Sequence, residues 1–162
     1  MPRTTNTPTA PRSLDWLQLD RQLCFALYSS SLAMTKLYKP LLEPLGLTYP
    51  QYLVLLVLWE RDRLCVGELG ERLFLDSGTL TPLLKRMESA GWLQRTRADD
   101  DERRVIVSLT APGRSLKQRA RSVPRELAAA SGCSADELIS LTERLQQLRT
   151  QLLGATSPSI HP

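Results

Sequence analysis

The chain lacks the marks of a membrane-spanning or secreted protein. Its longest apolar run, from Tyr52 to Trp59, has eight residues, whereas a helix needs about 20 to cross a bilayer. Residues 1–13 are rich in threonine and proline and have no apolar core. They therefore do not read as a secretion signal and are expected to be a disordered tail. The expected compartment is the reducing cytoplasm, with no membrane partner.

The chain also has few metal-ligating side chains, and these are widely spaced. Cys24, Cys65 and Cys133 form no paired motif, and the single histidine, His161, lies in a segment rich in proline and serine. Zinc sites need closely spaced cysteine and histidine pairs, so no metal or other cofactor is expected. Cys65 is interpreted as a buried core residue without a chemical role.

The chain also has only a small excess of positive charge. The 21 basic and 17 acidic side chains leave a net charge of +4, and most of this excess lies between Ser77 and Ala98. In that segment Glu88 opposes four basic residues, Lys85, Arg86, Arg95 and Arg97. With 162 residues and 42% apolar content, the chain suits a small domain with a core. The local positive charge suits a nucleic acid partner.

Residues 66–90 contain two short helical patterns separated by a break. The first has one apolar face, built at three- and four-residue steps from Val66, Leu69, Leu73 and Phe74. The second runs from about Ser77 to Ala90, and Gly91 follows where a helix C-cap belongs. Helices joined by so few residues cross steeply, which predicts a helix-turn-helix whose second helix projects polar residues outward.

The polar residues of this second helix are the predicted DNA contacts. They are Ser77, Thr79, Thr81, Lys85 and Arg86. We expect Thr79 and Thr81 to influence base preference and the two basic residues to engage mostly phosphate. Pro82 leaves the first residue of the helix open.

Strand-forming residues at 92–97 and 105–110 enclose a polar run, which predicts a β-hairpin, or wing. The tip holds four acids and two arginines, so charge alone would not favour contact with phosphate. A carboxylate such as Asp101 can instead orient Arg103, and an oriented arginine suits a narrow minor groove. The alternative is a solvated turn whose charges only aid solubility.

The remaining segments are predicted to be helical. A long pattern from Leu14 to Tyr38 is interrupted near Pro40 and Pro44. A capping box that starts at Thr48 begins a second helix, which ends at about residue 60. After the wing, residues 111–130 form a helix that Pro124 is expected to kink.

A second capping box, Ser134 to Glu137, precedes a stripe of leucines at coiled-coil spacing. The stripe consists of Leu138, Leu141, Leu145, Leu148 and Leu152. Such a stripe commonly covers the core of its own domain. Because the winged block already has a core, we expect the terminal helices to pair with a second copy of the chain in a homodimer.

This order of elements resembles the MarR-type transcriptional regulators over about Leu14 to Leu153. The run Asp101-Glu-Arg103, followed by residues 105–110, matches their wing signature. Three more specific segments are similar to the organic hydroperoxide resistance regulators: Leu23-Cys-Phe-Ala-Leu-Tyr28, Leu37-Tyr-Lys-Pro-Leu-Leu42 and Leu47-Thr-Tyr-Pro-Gln-Tyr52. The resemblance implies a mainly α fold with a small β-hairpin wing. Its winged helix-turn-helix would span about 48–110 and its dimerisation helices 14–45 and 111–153, with a flexible tail at 154–162.

The resemblance also implies a redox-sensing repressor that binds a pseudo-palindromic operator as a dimer. It would be released when an organic hydroperoxide oxidises a cysteine on the first helix, which corresponds to Cys24. Tyr38 and Tyr49 match the two tyrosine partners of that cysteine. In two-cysteine members a C-terminal cysteine of the other subunit resolves the oxidised thiol, and Cys133 is the matching candidate. The alternative for Cys133 is an incidental exposed thiol.

The residues themselves are compatible with this chemistry. Oxidation needs the thiolate, which only a few per cent of free cysteines carry at neutral pH. Hydrogen bonds from two tyrosine hydroxyls would favour the thiolate, and Arg21, three residues before Cys24, adds positive charge on the same helical face. A lone cysteine is otherwise more often a small core residue.

Two other functions stay open at this point. A thiol peroxidase that uses Cys24 and Cys133 would share the redox chemistry but would not need a helix-turn-helix and a wing, so an enzyme is not expected. A MarR-type repressor that binds a small aromatic acid noncovalently would use the DNA-binding elements but would not need Cys24.

Overall fold

The computed structural model describes residues 17–99, 101 and 103–156. These residues form seven α-helices and one three-stranded antiparallel sheet. The helices are α1 (Leu23–Leu42), α2 (Tyr49–Glu60), α3 (Val66–Leu73), α4 (Ser77–Ser89), α5 (Ala111–Arg119), α6 (Val123–Ser131) and α7 (Ala135–Thr156). The strands are β1 (Leu64–Cys65), β2 (Leu93–Arg97) and β3 (Val105–Leu109). The predicted mainly α fold with a small β-wing is confirmed.

The chain divides into two units at a point inside α1, between Thr35 and Lys36. The first unit is described from residue 17 to residue 35, and most of its large apolar side chains are exposed. They are Leu17, Leu19, Leu23, Tyr28, Leu32 and Met34. The second unit, described from residue 36 onward, contains the buried core of the protein.

The core of the second unit lies between α2, the helix-turn-helix and the sheet. Its nearly inaccessible side chains come from each of these elements and from the end of α1: Leu42, Tyr52, Val54, Leu55, Leu58, Leu69, Leu80, Leu84, Met87, Leu93 and Val107. Three of them, Leu80, Leu84 and Met87, lie on one face of α4. The predicted helix α4 and its apolar face are therefore confirmed, and Gly91 follows the helix with a φ of +79° in the expected C-terminal turn.

The wing is a hairpin of β2 and β3, and β3 also pairs with the short strand β1. Leu93 faces Leu109 in the hairpin, and Leu64 faces Val107 on the other side of β3. The two hairpin strands match the predicted segments to within one residue at each end. Strand β1 was not predicted, because two residues are too few to show an alternating pattern.

The wing joins α5 through a close backbone contact. Thr110 caps α5 by accepting a hydrogen bond from Gly113 N–H at 3.2 Å, and the Thr110 hydroxyl donates to the carbonyl of Gly91 at 2.6 Å. A Cβ on Gly113 would lie 1.9 Å from the carbonyl oxygen of Trp92. Only glycine fits this position, so Gly113 fixes how closely α5 approaches the wing.

Three predicted helix boundaries are wrong. Pro40 lies inside α1, which continues to Leu42, because a proline in the last turn removes few helical hydrogen bonds. Residues 1–16, with the predicted tail, lie outside the described residues, and the helix predicted from Leu14 begins only at Leu23, after a 3-10 turn at Leu19–Arg21. The helix predicted over 111–130 has its expected kink near Pro124, because a 3-10 turn at Ala120–Ser122 separates α5 from α6. Helix α7 extends to Thr156, beyond the predicted end at residue 153.

Phe74 also differs from its prediction. Helix α3 ends at Leu73, and Phe74 follows it in the left-handed conformation with a φ of 57°. Its side chain is 57% exposed, so it does not belong to the apolar face of α3.

Helix α7 begins with the predicted capping box. The amide and hydroxyl of Ser134 both donate to Glu137 Oε2 at 2.8 Å, and Glu137 N–H donates to the Ser134 hydroxyl at 3.2 Å. Five large apolar side chains of the helix are about half exposed or more, and Leu141 is one of them at 49%. Among the described residues, no single helix is long and apolar enough to cross a bilayer. One pair of consecutive helical segments is long and apolar enough when both are taken together, but the pair is bent by 70° at the break between Leu23–Leu45 and Tyr49–Glu60.

Candidate nucleic-acid interface and thiol sites

Helix α4 presents most of the predicted contact residues to solvent. Its N-cap is Asp76, whose carboxylate accepts hydrogen bonds from Thr79 N–H at 2.9 Å and from the Thr79 hydroxyl at 3.0 Å. These bonds lower the pKa of Asp76. Four of the predicted residues are exposed, Ser77, Thr79, Lys85 and Arg86, and Thr81 is half-buried. The Thr79 hydroxyl is thus engaged in the cap, which fixes the direction in which this side chain can point.

The wing tip has the predicted carboxylate–arginine pair. Asp101 Oδ1 accepts hydrogen bonds from the Arg103 backbone N–H at 3.0 Å and from Arg103 Nε at 3.2 Å. The side chain of Arg103 is 92% exposed, so its charge faces solvent while Asp101 limits its orientation.

A second arginine, Arg95, joins the wing to α4. Glu88 Oε1 accepts from Arg95 N–H at 2.8 Å, and Glu88 Oε2 accepts from Arg95 Nε at 3.0 Å and from a terminal guanidinium nitrogen at 2.8 Å. Hydrogen bonds from Arg95 lower the pKa of Glu88. From the sequence alone, Arg95 is expected to be one of the positive charges available to DNA. The structure shows that its charge is matched by Glu88, so this pair mainly holds the wing against the recognition helix.

A cavity of about 360 Å³ lies between the start of α3, helix α4 and the wing. Its lining includes Cys65, Thr81 and three arginines, Arg95, Arg103 and Arg104. Cys65 is half-buried and caps α3, because its sulfur accepts from Glu68 N–H at 3.4 Å and its own N–H donates to Glu68 Oε2 at 2.8 Å. Cys65 is therefore half-buried rather than buried as predicted, and it has a structural role as the cap of α3. Helix capping by a cysteine is uncommon, which is why the sequence pattern did not reveal it.

The two predicted tyrosines belong to an aromatic cluster in the second unit. The ring centroids of Tyr38 and Tyr49 are 4.7 Å apart, and those of Tyr38 and Tyr52 are 5.8 Å apart. Burial, with smaller effects from Tyr49 and Tyr52, raises the pKa of Tyr38 from 10.0 to about 12. Burial also raises the pKa of Tyr49. All these phenols therefore keep their protons at neutral pH and can act as hydrogen-bond donors.

The two predicted redox cysteines lie in different parts of the chain. Cys24 is an exposed free thiol near the start of α1, in the first unit. Cys133 lies in the turn between α6 and α7 and is half-buried rather than exposed. Its N–H donates to the Ser131 hydroxyl at 3.2 Å, and it lines a surface cavity of about 470 Å³ with Asp136, Glu137, Ser140 and Leu141.

Comparison with known proteins agrees with this architecture. The family model "Transcriptional regulator SarA/Rot" matches residues 36–120. An organic hydroperoxide resistance transcriptional regulator of Bacillus subtilis (strain 168) is 52% identical over 134 residues, which cover 83% of this chain and 91% of that protein.

Two solved structures of AbfR, a protein of Staphylococcus epidermidis, are also similar. Reduced AbfR bound to DNA has a TM-score of 0.68 and 38% identity, with coverage of 83% of this chain and 94% of that chain. Disulfide-formed AbfR has a TM-score of 0.59 and 36% identity, with coverage of 84% and 92%.

The fold and these similarities define the chain as a winged helix-turn-helix transcriptional regulator. Within that class it belongs to the family of MarR-type organic hydroperoxide resistance regulators, as its motifs predicted.

Proposed function

We propose that this chain is a cytoplasmic, redox-sensing repressor, and not an enzyme, that binds a pseudo-palindromic operator as a homodimer. An organic hydroperoxide releases it from DNA by oxidising Cys24. The observation that carries the DNA-binding part is the exposed polar face of α4 beside an arginine that Asp101 orients at the wing tip. Relatives that are organic hydroperoxide regulators, or that were solved on DNA and with a disulfide, support the redox part.

On DNA, the N-terminal part of α4 enters a major groove. Ser77, Thr79 and Thr81 face the base edges, and Lys85 and Arg86 contact phosphate. Arg103 reaches the adjacent minor groove, where negative potential is concentrated. Two copies of α4 read half-sites centred about 34 Å apart, one turn of the double helix.

The terminal helices supply the dimer contacts. Within one chain, the apolar side chains of residues 17–35 and the leucines of α7 are largely exposed. Apolar faces of this kind are stabilised when a second copy of the chain covers them. No external partner is required for such a symmetric contact.

The redox step begins with the thiolate of Cys24. Its sulfur attacks one oxygen of the hydroperoxide, so an S–O bond forms while the O–O bond breaks. The alkoxide takes a proton and leaves as an alcohol, and the sulfur becomes a sulfenic acid. The thiol of Cys133 of the partner subunit then condenses with it, forming the S–S bond and releasing water. The peroxide is reduced and the two thiols are oxidised.

Tyr38 and Tyr49 assist the first step as donors to the Cys24 thiolate. Their raised pKa values keep both hydroxyls protonated over the physiological range. A hydrogen bond donated to the charged form of a thiol favours that form. Replacing either tyrosine by phenylalanine therefore slows oxidation.

Operator binding with and without cumene hydroperoxide, followed by mass analysis of the cysteines, tests this function. The wild-type protein should bind when reduced and dissociate after oxidation. Cys24→Ser should bind but stay bound in peroxide. Cys133→Ser should lose the dimer band on a non-reducing gel. If Cys24→Ser is released as readily as wild type, the redox switch is wrong. A noncovalent ligand-sensing repressor then becomes the better function.

A second measurement tests the wing. Arg103→Ala should weaken operator binding by about tenfold at moderate salt, because it removes a minor-groove contact of about 1–3 kcal/mol. Arg63→Ala, which removes an exposed arginine outside α4 and the wing, is the control. Equal affinity of Arg103→Ala and wild type would rule out the contact of the wing with DNA.

A further inference from the structure

The turn between α3 and α4 has an unusual residue at its centre. Phe74 adopts a left-handed conformation, with φ 57° and ψ 38°, and its N–H donates to the carbonyl of Glu71 at 3.4 Å. The next amide, of Leu75, donates to the carbonyl of Gly70 at 2.9 Å. This is the position after a helix where glycine is the usual residue, because a side chain there meets the backbone. A large aromatic side chain at this position needs a specific stabilising contact.

Burial in the core does not supply that contact. The Phe74 side chain is 57% exposed. Its ring instead lies under Arg149 of α7, whose guanidinium carbon is 4.6 Å from the ring centroid. This is a cation–π contact within the usual distance of about 6 Å.

The contact joins two elements with different roles in the proposed function. Phe74 is two residues before Asp76, the N-cap of α4, so the turn sets where the recognition helix begins. Arg149 lies on α7, which starts two residues after Cys133. A displacement of α7 at its Cys133 end can therefore act on α4 through this pair.

We propose that Phe74 and Arg149 are positioning residues for operator recognition. Their contact fixes the start of α4 against α7 and couples the position of the recognition helix to events at Cys133. The coupling rests on the proposed function, whereas the positioning in the reduced state depends only on DNA binding.

The positioning role in the reduced protein is tested by measuring operator affinity in a double-mutant cycle of Phe74 and Arg149. Phe74→Leu and Arg149→Gln should each weaken binding about three- to fivefold, the effect of losing a partly exposed cation–π contact. The double variant should be no weaker than the weaker single variant, because both singles remove the same contact. Phe74→Tyr and Arg149→Lys keep an aromatic ring and a cation and should stay within about twofold of wild type.

The matched control is Arg144→Gln, which removes the same charge from an exposed position on the same helix. It should change affinity by less than twofold at the same salt concentration. Two results would overturn the proposal: an effect of Arg149→Gln no larger than that of Arg144→Gln, or singles that multiply in the double variant.

Phe74→Gly separates positioning from general stability. Glycine suits the left-handed conformation, so this variant should melt at a higher temperature than wild type while binding the operator more weakly. Its ratio of oxidised to reduced dissociation constants should be smaller than that of wild type. A melting temperature and affinity that fall together would contradict the proposed role. If the wild-type protein does not respond to peroxide, the proposed redox function is wrong. The double-mutant cycle of operator affinity still decides whether Phe74 and Arg149 are positioning residues.

Discussion

The recognition helix α4 and the C-terminal helix α7 have similar leucine patterns but use them differently. In α4 the apolar face is fully covered by the same chain, with Leu80, Leu84 and Met87 at 0% exposure. In α7 the stripe that includes Leu141 and Leu145 remains exposed at 49% and 47%. Spacing therefore predicts that a helix has an apolar face, but it does not predict what covers that face.

The two regions also differ in how their polar groups are connected. In the winged region, bonds join residues distant in sequence: Leu109 N–H donates to Asp62 at 2.8 Å and Trp59 Nε1 donates to the Gly113 carbonyl at 3.0 Å. In α7, the side-chain hydroxyls bond within the helix itself, as in the bond from the Thr142 hydroxyl to the Leu138 carbonyl. The winged region is thus specified by its own chain, whereas the exposed leucines of α7 are the surface that the proposed dimer would cover.

The largest expected effect comes from the tightest backbone contact of the winged region. Gly113→Ala should lower the free energy of unfolding by about 4 kcal/mol or more, because the new Cβ cannot coexist with the Trp92 carbonyl. Urea unfolding measures this change. The matched control is Gly154→Ala in α7, where no atom beyond the backbone of the helix itself lies within 4 Å of the added Cβ.

This control should be neutral or should stabilise the protein by about 0.5 kcal/mol, because alanine favours a helix over glycine. Equal losses in the two variants would contradict the difference between the regions.

The second prediction concerns the uncovered leucines of α7. Leu145→Glu should raise the dissociation constant of the homodimer by about a hundredfold, because it places a charge in an apolar contact. Sedimentation velocity over a dilution series measures this change. Gln146→Glu adds the same charge to the neighbouring exposed position and should have little effect. If Leu145→Glu stays dimeric at the concentrations where wild type does, α7 is not part of the dimer contact.

The elements that could be predicted from the sequence are those specified by local signals. The caps at Thr48 and Ser134, the apolar face of α4 and the two long wing strands were predicted because each depends on neighbouring residues. The Asp101–Arg103 pair was also predicted, since its partners are two residues apart.

Contacts between distant residues could not be predicted in the same way. The Glu88–Arg95 bonds, the Gly113 contact and the Phe74–Arg149 pair depend on how elements pack, and no spacing rule encodes them. Phe74 is another residue whose position could not be predicted from spacing. Its apolar side chain fits the helical pattern of α3, but its backbone lies outside the helix in the left-handed conformation.

The third prediction tests the bond between the wing and α4 through pH. The pKa of Glu88 is lowered in the folded protein, so its stabilising effect is present above its ordinary pKa of 4.5. That effect is lost as the pH falls from about 4.5 through the lowered value. Glu88→Gln should cost about 1 kcal/mol or less at pH 7, because the pair is partly exposed. The cost should shrink towards pH 3, and a cost that is constant with pH would contradict the assignment.

The smallest expected effect concerns the cysteine that caps α3. Sulfur is a weaker hydrogen-bond acceptor than a hydroxyl oxygen, and Glu68 N–H lies 3.4 Å from Cys65 Sγ. Serine is among the preferred N-cap residues and alanine is not, so Cys65→Ser should be more stable than Cys65→Ala by about 0.5 kcal/mol. Thermal unfolding of the two variants measures this difference, and both keep a single small side chain at the cavity. If the serine and alanine variants unfold at the same temperature, Cys65 does not stabilise α3 as a cap, and its side chain contributes through packing alone.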